Sequence, residues 1–562
     1  MPTDILWNNF KGEMPKLDVR LRPPNYSQDC QNGDYRSGAM VAIAKSDNNV
    51  SLGSGTAWRT IYKMGSVWLY WTEDVDAVKA AVVPTAEKEL TFYTGDGYPK
   101  QTDLDFMASA GTPDSTADYE RLGVIAPTAP LTINFAGTGV GEAINTVAYQ
   151  YTYVCFRNGI EHESAPSPAT AAVDVQAGQY IYLTGFVAPN FASTGNSVDY
   201  YRVYRVAAGS TGAEYFLLSG RRNAYSASAT ADIAVGADSV YDNDDPSTPV
   251  ALYNPLGEAL ATEGYDPPPD DMIGLTTFKN GMLVGFRGRE LCVSETNAQY
   301  AWNEDNRIRF DYDIVSIGVF GGSIIVATEA YPYIVTGSEP GYLLADILPY
   351  EQACLSKKGL VSTRLGVIYP SPDGLFMVND VSGVVLTKQL YTKAQWQALN
   401  PETIVSEFYD DRYMAFFKDT QTGIIVDLEG TDITPFDLLY GTYCTYIDAV
   451  EDKLHILCEL SESYYIRTWA GGGAGDLSIT YNTGIVRTDF DTNFPFFQVI
   501  GDQDGTFPCD FYVYLDGALL HNASLTDSVM YRLPADIRGK DWYCKVVTKA
   551  TIQSIELISS RG

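Results

Sequence analysis

The strongest constraint on this chain is a series of strand–turn–strand units between about residues 274 and 473. Each unit has an apolar strand, a tight turn and a second apolar strand. Units that recur at roughly 40–50 residues predict the blades of a β-propeller. The five units turn at or near Asn280-Gly281, Gly321-Gly322, Asp373-Gly374, Asp410-Asp411 and Glu451-Asp452.

Length and composition favour several all-β domains. The chain has 562 residues, and single hydrophobic cores stop growing at about 250–300 residues. It contains 40 Tyr and 49 Gly. Because strands favour Tyr and turns favour Gly, we predict an all-β fold.

Changes in pattern along the chain predict the domain order. Prolines and polar residues dominate the start, Tyr-rich alternation marks two sandwich-like regions, and Ala470–Gly475 reads as a linker. The first blade is expected to use strands at 58–62, 66–71 and 89–93. We predict an extended arm at 1–55, a first propeller blade region at 56–122, an inserted fibronectin-III-like β-sandwich at 123–250, main propeller blades at 251–473 and a C-terminal β-rich platform or sandwich at 474–562.

The net charge of −32 indicates which classes of partner the chain can bind. Non-specific DNA binding requires Lys and Arg to neutralise phosphates, so the chain as a whole should repel nucleic acid. Ordinary solubility accounts for the acidity equally well. A surface that must sit near DNA without sticking to it is the sharper interpretation. Lys357-Lys358 is one of the densest basic pairs and reads as a solvated turn, as does Ser219–Arg222.

Eight cysteines are scattered through the chain, without a Cys-x-x-Cys pair. Several lie in apolar strands, where a free Cys packs as a small hydrophobe, so we expect reduced, structural cysteines in a protein folded in a cytosol. The sequence also predicts neither a signal peptide nor a membrane span.

Residues able to carry chemistry are few. The three histidines, His162, His455 and His521, are far apart and lack zinc-ligand spacing. No Gly-x-Ser-x-Gly nucleophile motif occurs. The loop Gly137–Gly141 lacks the Lys-Ser/Thr ending of a phosphate loop. We therefore predict no catalytic, cofactor-binding or metal-binding residues.

Paired carboxylates leave an alternative open. The pairs could serve glycoside hydrolysis or calcium binding, but 70 acidic residues make such pairs expected by chance. The Ser371–Gly374 segment shares part of the Asp-box of sialidase propellers. A glycan-binding or glycan-cleaving propeller is thus the alternative function, and its candidate carboxylates are Asp410-Asp411, Asp242 with Asp244 and Asp245, and Asp489 with Asp491.

A longer series of motifs resembles one family. Tyr151–Pro168, with the sequence YTYVCFRNGIEHESAPSP, resembles a segment of tail structural proteins of short-tailed bacteriophages. Matching segments follow in the same order at 201–205, 256–260, 265–275, 279–286, 331–338, 352–358, 369–375 and 390–396. Over residues 150–400 the chain is similar to the tail nozzle family, also called tail tubular protein B.

The resemblance implies a non-enzymatic virion component. Family members form a hexameric ring below the tail adaptor, contact other tail components such as fibres, and pass double-stranded DNA through the lumen without specific binding. It therefore implies a virion protein, folded in the host cytoplasm, that helps retain the genome before ejection. The ends of the chain, 1–120 and 476–562, resemble the family less.

Overall fold

The computed structural model is built almost entirely of antiparallel strands. An all-β fold with a propeller and two sandwiches is confirmed. The residues described are 4–81, 89–157, 160–187, 198–206, 214–218, 232–235, 240–242, 256–380, 382–418, 420–428, 431–473, 475–501, 508–534 and 537–559.

The N-terminal arm is a run of short strands. Most of them complete sheets that belong to other parts of the molecule, as described below. They are β1 Ile5–Trp7, β2 Lys11–Glu13, β3 Tyr26–Ser27, β4 Asp29–Gln31, β5 Gly33–Asp34, β6 Val41–Ala42 and β7 Asp47–Ser54.

The next region forms two sheets. The first is a hairpin, which we call blade A, and the second has four strands and is blade B. Blade A contains β8 Thr60–Met64 and β9 Val67–Trp71, and blade B contains β10 Asp76–Lys79, β11 Thr91–Thr94, β12 Lys100–Thr102 and β13 Glu120–Arg121.

The strands expected at 58–62, 66–71 and 89–93 do not form a single blade. The strand expected at 89–93 is β11, which pairs with β10 and β12 of blade B rather than with β9. Residues 72–75 alone separate β9 from β10, so the connection between the two blades is as short as a hairpin loop. Trp71 of blade A packs on Tyr93 of blade B, with ring centroids 5.3 Å apart.

An inserted β-sandwich follows. A ribbon of β14 with β19 and β15 with β18 packs against the sheet β17-β16-β20-β21-β24 around buried Tyr149, Tyr151 and Tyr201. The strands are β14 Thr132–Ala136, β15 Val140–Val147, β16 Tyr149–Arg157, β17 Ile160–Glu163, β18 Val173–Ala177, β19 Tyr180–Thr184, β20 Tyr200–Val206, β21 Tyr215–Leu218, β22 Ile233–Ala234, β23 Val240–Tyr241 and β24 Leu256–Ala259.

The predicted boundary after residue 250 needs correction. Strand β24 pairs with β21 through Phe216 and Ala259, so the sandwich continues to Ala259 and the next blade begins only at Ile273. The boundary between the sandwich and blade C therefore lies in the Pro-rich stretch 266–271. Its Asp270 pairs with Arg121 of blade B.

Five further blades, C to G, complete the propeller. Their strands are, for C, β25 Ile273–Thr277, β26 Leu283–Arg287, β27 Glu290–Val293 and β28 Ile308–Arg309; for D, β29 Ile314–Phe320, β30 Ser323–Thr328, β31 Tyr333–Thr336 and β32 Leu344–Ile347; for E, β33 Val361–Ser362, β34 Val367–Ser371, β35 Gly374–Val378 and β36 Gly383–Val385; for F, β37 Ile404–Tyr409, β38 Arg412–Phe417, β39 Thr422–Asp427 and β40 Ile433–Asp437; and for G, β41 Gly441–Asp448, β42 Lys453–Leu460 and β43 Ser463–Thr468.

Helical segments are short. The α-helix α1 spans Lys393–Gln397, and Thr392 and Gln395 cap its start reciprocally. The 3-10 turns are Lys279–Gly281, Glu304–Asn306, Pro340–Tyr342, Lys357–Gly359, Leu386–Gln389 and Pro401–Thr403.

In the described part of the chain, seven blades form a closed ring. Adjacent blades share apolar cores, and the last core packs Ile61 and Trp68 of blade A against Leu457 of blade G. Strand β7 of the arm is the fourth strand of blade G, pairing Ile466 with Val50. The ring is therefore closed by joining residues from the start of the chain to residues near 470, which removes a free sheet edge.

The C-terminal block is a second sandwich with strands borrowed from the arm. One sheet runs β1-β51-β46-β49, and the other contains β4, β44, β50, β47 and β48, with β45 on β50. Its core includes Trp7, Phe511 and Trp542. The strands are β44 Ile479–Asn482, β45 Val486–Thr492, β46 Phe496–Gly501, β47 Cys509–Leu515, β48 Ala518–Leu525, β49 Tyr531–Arg532, β50 Gly539–Thr548 and β51 Ile552–Ile558.

Candidate functional site in the axial channel

A short turn of chain occupies the channel of the propeller. We call this 3-10 turn, Lys357–Gly359, the plug. Ser316 of blade D donates a hydroxyl hydrogen bond to the Lys357 carbonyl (3.2 Å), and Ser406 of blade F donates to the Lys358 carbonyl (3.3 Å). The Tyr413 hydroxyl donates to the Gly359 carbonyl at 2.7 Å. The plug is therefore anchored to the blades on both sides of blade E.

Both lysines of the plug reach across the channel. Lys357 Nζ lies 2.7 Å from Asp76 Oδ2, at the start of blade B. Lys358 Nζ lies 3.2 Å from Asp74 Oδ1 and donates to the Arg59 carbonyl at 2.8 Å. The interpretation of Lys357-Lys358 as a solvated turn is thus wrong, because these two ammonium groups pair with carboxylates on the opposite blades.

Burial and pairing set the ionisation of this cluster. Burial lowers the pKa of Lys357, but Asp76 and Asp74 outweigh it and raise that pKa above its usual value. Burial raises the pKa of Asp74, but Lys358 and Lys357 more than compensate and lower it. For Asp76, burial dominates and raises the pKa despite Lys357. Asp76 is therefore the carboxyl of the pair that takes up a proton first on acidification.

Two cavities use the plug as a wall. One, of about 300 Å³, is lined by hydroxyl and apolar side chains of the inner strands, among them Thr276, Ser362 and Thr445. The other, of about 410 Å³, is lined by Arg59, Glu402 and residues near them. Lys357 and Lys358 border both, so a substrate in either cavity would meet ammonium groups that are already paired.

Glu407 is the one acid of the inner strand β37 and lies between blades F and G. Its carboxyl accepts from the Phe408 amide at 3.2 Å. Burial raises its pKa to about 7, against a smaller lowering by that amide and by the Thr445 hydroxyl. This position carries a proton near neutral pH, which is the range suited to acid–base chemistry.

The three histidines lie in separate places, as expected. His162 stacks on Tyr300 with ring centroids 4.1 Å apart, at the contact between the sandwich and blade C. His455 lies 3.2 Å from Asn49 of β7, and His521 packs beside Phe497 in the C-terminal sandwich. Burial lowers the pKa of each ring. The described residues contain no group of three His, Cys, Asp or Glu side chains able to hold a metal ion.

The candidate carboxylate pairs are separated by the fold. Asp410 and Asp411 form the turn of blade F, where Asp410 pairs with Arg36 and Asp411 with Arg364. Asp242 is fully buried and pairs with Arg205 at 2.7 Å, whereas Asp244 and Asp245 lie outside the described residues. No two of these sites come together around a common cleft in the described structure.

Asp489 and Asp491 flank an exposed aromatic ring on a bulge of β45. Phe490 is 80% exposed, and its carbonyl accepts from the hydroxyls of Thr488 (2.8 Å) and Thr492 (2.9 Å). Asp489 and Asp491 line a surface cavity of about 850 Å³ on the C-terminal sandwich, together with Arg487 and Arg538. This cavity is formed by residues other than those that line the channel.

The remaining motifs are structural. Gly137 has φ +82°, and a Cβ there would come within 2.3 Å of the Gly178 carbonyl, so the glycine permits the ribbon of the sandwich to bend. Ser371 donates to the Gly374 carbonyl at 2.8 Å inside a blade E turn. The basic run 219–222 lies outside the described residues.

All eight cysteines are buried and free. Burial raises the pKa of each of them, which keeps the thiols protonated and poorly nucleophilic. The expectation of reduced, structural cysteines is met by this arrangement. No helix in the described part of the chain is long and apolar enough to cross a bilayer.

Comparisons with known proteins identify no family. No family model and no curated protein matches the chain. Among solved structures, the AfRom2 CNH domain covers 59% of this chain and 89% of its own length, with 10% identity and a TM-score of 0.26. The Neurospora crassa Pan2 WD40 domain covers 52% and 85%, with 7% identity and a TM-score of 0.26. YCF48 from Cyanidioschyzon merolae covers 52% and 98%, with 10% identity and the same TM-score.

Proposed function

We propose that this protein is a structural subunit of the tail nozzle of a short-tailed bacteriophage, one wall segment of a ring through which the genome passes. The proposal combines the ordered motif resemblance over 150–400 with the architecture. The observation that carries it is the plug, because a propeller channel that holds this turn, with both of its lysines in ion pairs, offers DNA no passage and leaves only cavities of about 300 and 410 Å³ beside the turn. Its function then depends on outer surfaces and on assembly.

The charge of the chain supports the same role. At −32, a ring of copies would present an acidic wall to the DNA that it surrounds. Each contact between a Lys or Arg and a phosphate would retard passage, so a conduit benefits from few such contacts. In the channel the plug lysines pair with Asp74 and Asp76, which leaves them poorly placed to bind a polyanion.

The N-terminal arm links the domains, which suits a protein that must withstand mechanical load. It contributes β1 and β4 to the C-terminal sandwich, β2 to blade F and β7 to blade G. One continuous segment therefore ties the propeller to the sandwich by backbone hydrogen bonds. Such cross-linking of domains limits their relative motion, which a tube wall under internal pressure requires.

Assembly with tail partners tests the proposal. We expect electron micrographs of the protein, co-expressed with its tail adaptor, to show a six-fold ring with an axial opening between subunits. The protein alone is expected not to shift double-stranded DNA in gels at low salt, where non-specific binding is strongest. A species that stays monomeric in the presence of the adaptor would contradict the proposal, as would tight, salt-sensitive DNA binding.

The glycan alternative has its own readout. Incubation of the purified protein with host surface polysaccharide should release no reducing ends if the nozzle proposal is right. Release of reducing ends would favour a propeller enzyme instead, and substitution of Glu407 by Gln would then show whether the channel acid takes part.

A further inference from the structure

The outer strand of blade D is an unprotected sheet edge. In the described structure no strand pairs with β32 on its outer side, and all four of its residues are exposed. Leu344 is 69% and Ile347 51% exposed, and Tyr342 just before the strand is 77% exposed. Natural sheet edges are usually blunted by Lys, Pro or a covering segment, because bare edges pair with other chains.

The backbone of this edge is ready to pair. The Leu348 amide donates to the Pro332 carbonyl at 2.9 Å, so these two residues form a hydrogen-bonded pair of the β31–β32 ladder. Antiparallel pairs alternate between bonded and non-bonded. The register therefore uses the amides of Leu344 and Asp346 within the blade and leaves those of Ala345 and Ile347 pointing outward.

Three other blades protect the equivalent edge. The outer strand of blade F is covered by β2, which pairs Glu13 with Ile433. The outer strands of blades B and C have only two residues each, Glu120–Arg121 and Ile308–Arg309, and both carry charges. Blade D therefore differs from blades B, C and F in presenting an exposed apolar edge of four residues.

The charges around β32 indicate which kind of partner would bind at this edge. Between residues 337 and 351 the chain carries Glu339, Asp346 and Glu351 and neither Lys nor Arg. The turn Glu304–Asn306 lies against Pro340–Tyr342 and adds Asp305, whereas its Glu304 is paired with Arg307 at 2.9 Å. Self-pairing in the antiparallel register that joins Ala345 to Ile347 is disfavoured, since it places Asp346 opposite Asp346, and like charges directly opposite destabilise a ladder.

We propose that β32 is a docking edge for a partner protein, which adds an extended segment of alternating apolar and Lys or Arg residues as a fifth strand of blade D. Backbone hydrogen bonds to Ala345 and Ile347 supply affinity. The side chains of Ala345 and Ile347, which share one face of the strand, contact the apolar residues, and Asp346 on the other face selects the basic ones together with the acidic rim. The inference goes beyond the proposed function and does not depend on it.

Peptide binding to the full-length protein tests the inference. The probes are fluorescent peptides of about ten residues that alternate Val with Lys, with Glu or with Ser, followed by anisotropy at about 0.15 M salt. The test variant is Ala345→Pro, which removes an outward amide that the blade does not use. The matched control is Ala345→Ser, which keeps that amide.

We expect the Val/Lys peptide to bind the wild type and Ala345→Ser alike, and to bind Ala345→Pro about tenfold more weakly, since roughly one backbone hydrogen bond and its neighbour are lost. The Val/Glu peptide should not bind.

Equal binding by both variants would overturn the inference in favour of non-specific charge attraction. Concentration-dependent dimers of the wild type that Ala345→Pro abolishes would overturn it in favour of self-pairing. If Ala345→Pro fails to fold, Ile347→Lys serves as the second variant and should weaken Val/Lys binding by like charge.

Discussion

Lys357 Nζ lies 2.7 Å from Asp76 Oδ2, so an ammonium of the plug is paired with a carboxylate of blade B across the propeller axis. Lys357→Met keeps the length of the side chain but leaves Asp76 largely buried without its partner. We expect a loss of about 2–4 kcal/mol in the free energy of unfolding of the propeller, measured with urea. Adding Asp76→Asn should recover much of the loss. Equal stability of wild type and Lys357→Met would show that the plug does not hold the blades.

Asp242 tests whether an acidic candidate is structural. Its carboxylate accepts from Tyr149 (2.5 Å) and pairs with Arg205 (2.7 Å) in the sandwich interior. Asp242→Ala should destabilise the sandwich by about 3–5 kcal/mol because it removes the buried carboxylate that pairs with the buried Arg205. The exposed Asp174→Ala is the control and should change stability by less than about 0.5 kcal/mol. Similar behaviour of both variants in thermal unfolding would contradict this role.

Glu407 should make stability depend on pH. Its pKa is about 7 in the folded chain, above the ordinary value of 4.5, so the folded state binds the proton more tightly. Stability from this group is present below pH 4.5 and is lost as the pH rises toward 7. Glu407→Gln should therefore stabilise the protein by about 1–3 kcal/mol more at pH 8 than at pH 5. The exposed Glu402→Gln is the control, and a gain that is equal at both pH values would refute the assignment.

The turn of blade F offers a stabilising substitution. Asp410 and Asp411 have φ +53° and +59°, the left-handed region that a two-residue hairpin turn of this type requires. Asp411→Gly should raise the free energy of unfolding by about 0.5–1 kcal/mol, because glycine adopts this region without strain. The lost Arg364 pair is highly exposed and contributes little. Asp411→Ala should destabilise, and the reverse order of the two variants in thermal melts would contradict the explanation.

Local signals in the sequence predicted much of the fold. Asn280-Gly281 and Gly321-Gly322 turn where expected, since each places a residue suited to positive φ between two apolar strands. The alternating Tyr residues of β16 and β20 likewise identify the first sandwich. These features depend on neighbours in the sequence, which a pattern can report.

Local sequence patterns did not predict the features that depend on contacts between distant residues. The division of 56–122 into two blades follows from which strands pair, because β11 joins β10 and β12 rather than β9. The plug lysines look like any basic turn until Asp74 and Asp76 are placed opposite them. The arm was expected to be extended, but its role in blade G rests on pairs such as Val50 with Ile466, which no local signal encodes.

The arm also sets the order of events during synthesis. Ile5 pairs with Leu557, and Val50 pairs with Ile466, so each of these arm residues is made hundreds of residues before its partner. At translation rates of about 5–20 residues per second, the partner of Ile5 emerges roughly 30–110 s later. During that interval the apolar residues Ile5 and Trp7 lack their final sheet. The ring and the C-terminal sandwich therefore cannot close as their first strands emerge, and both depend on strands that are made much later.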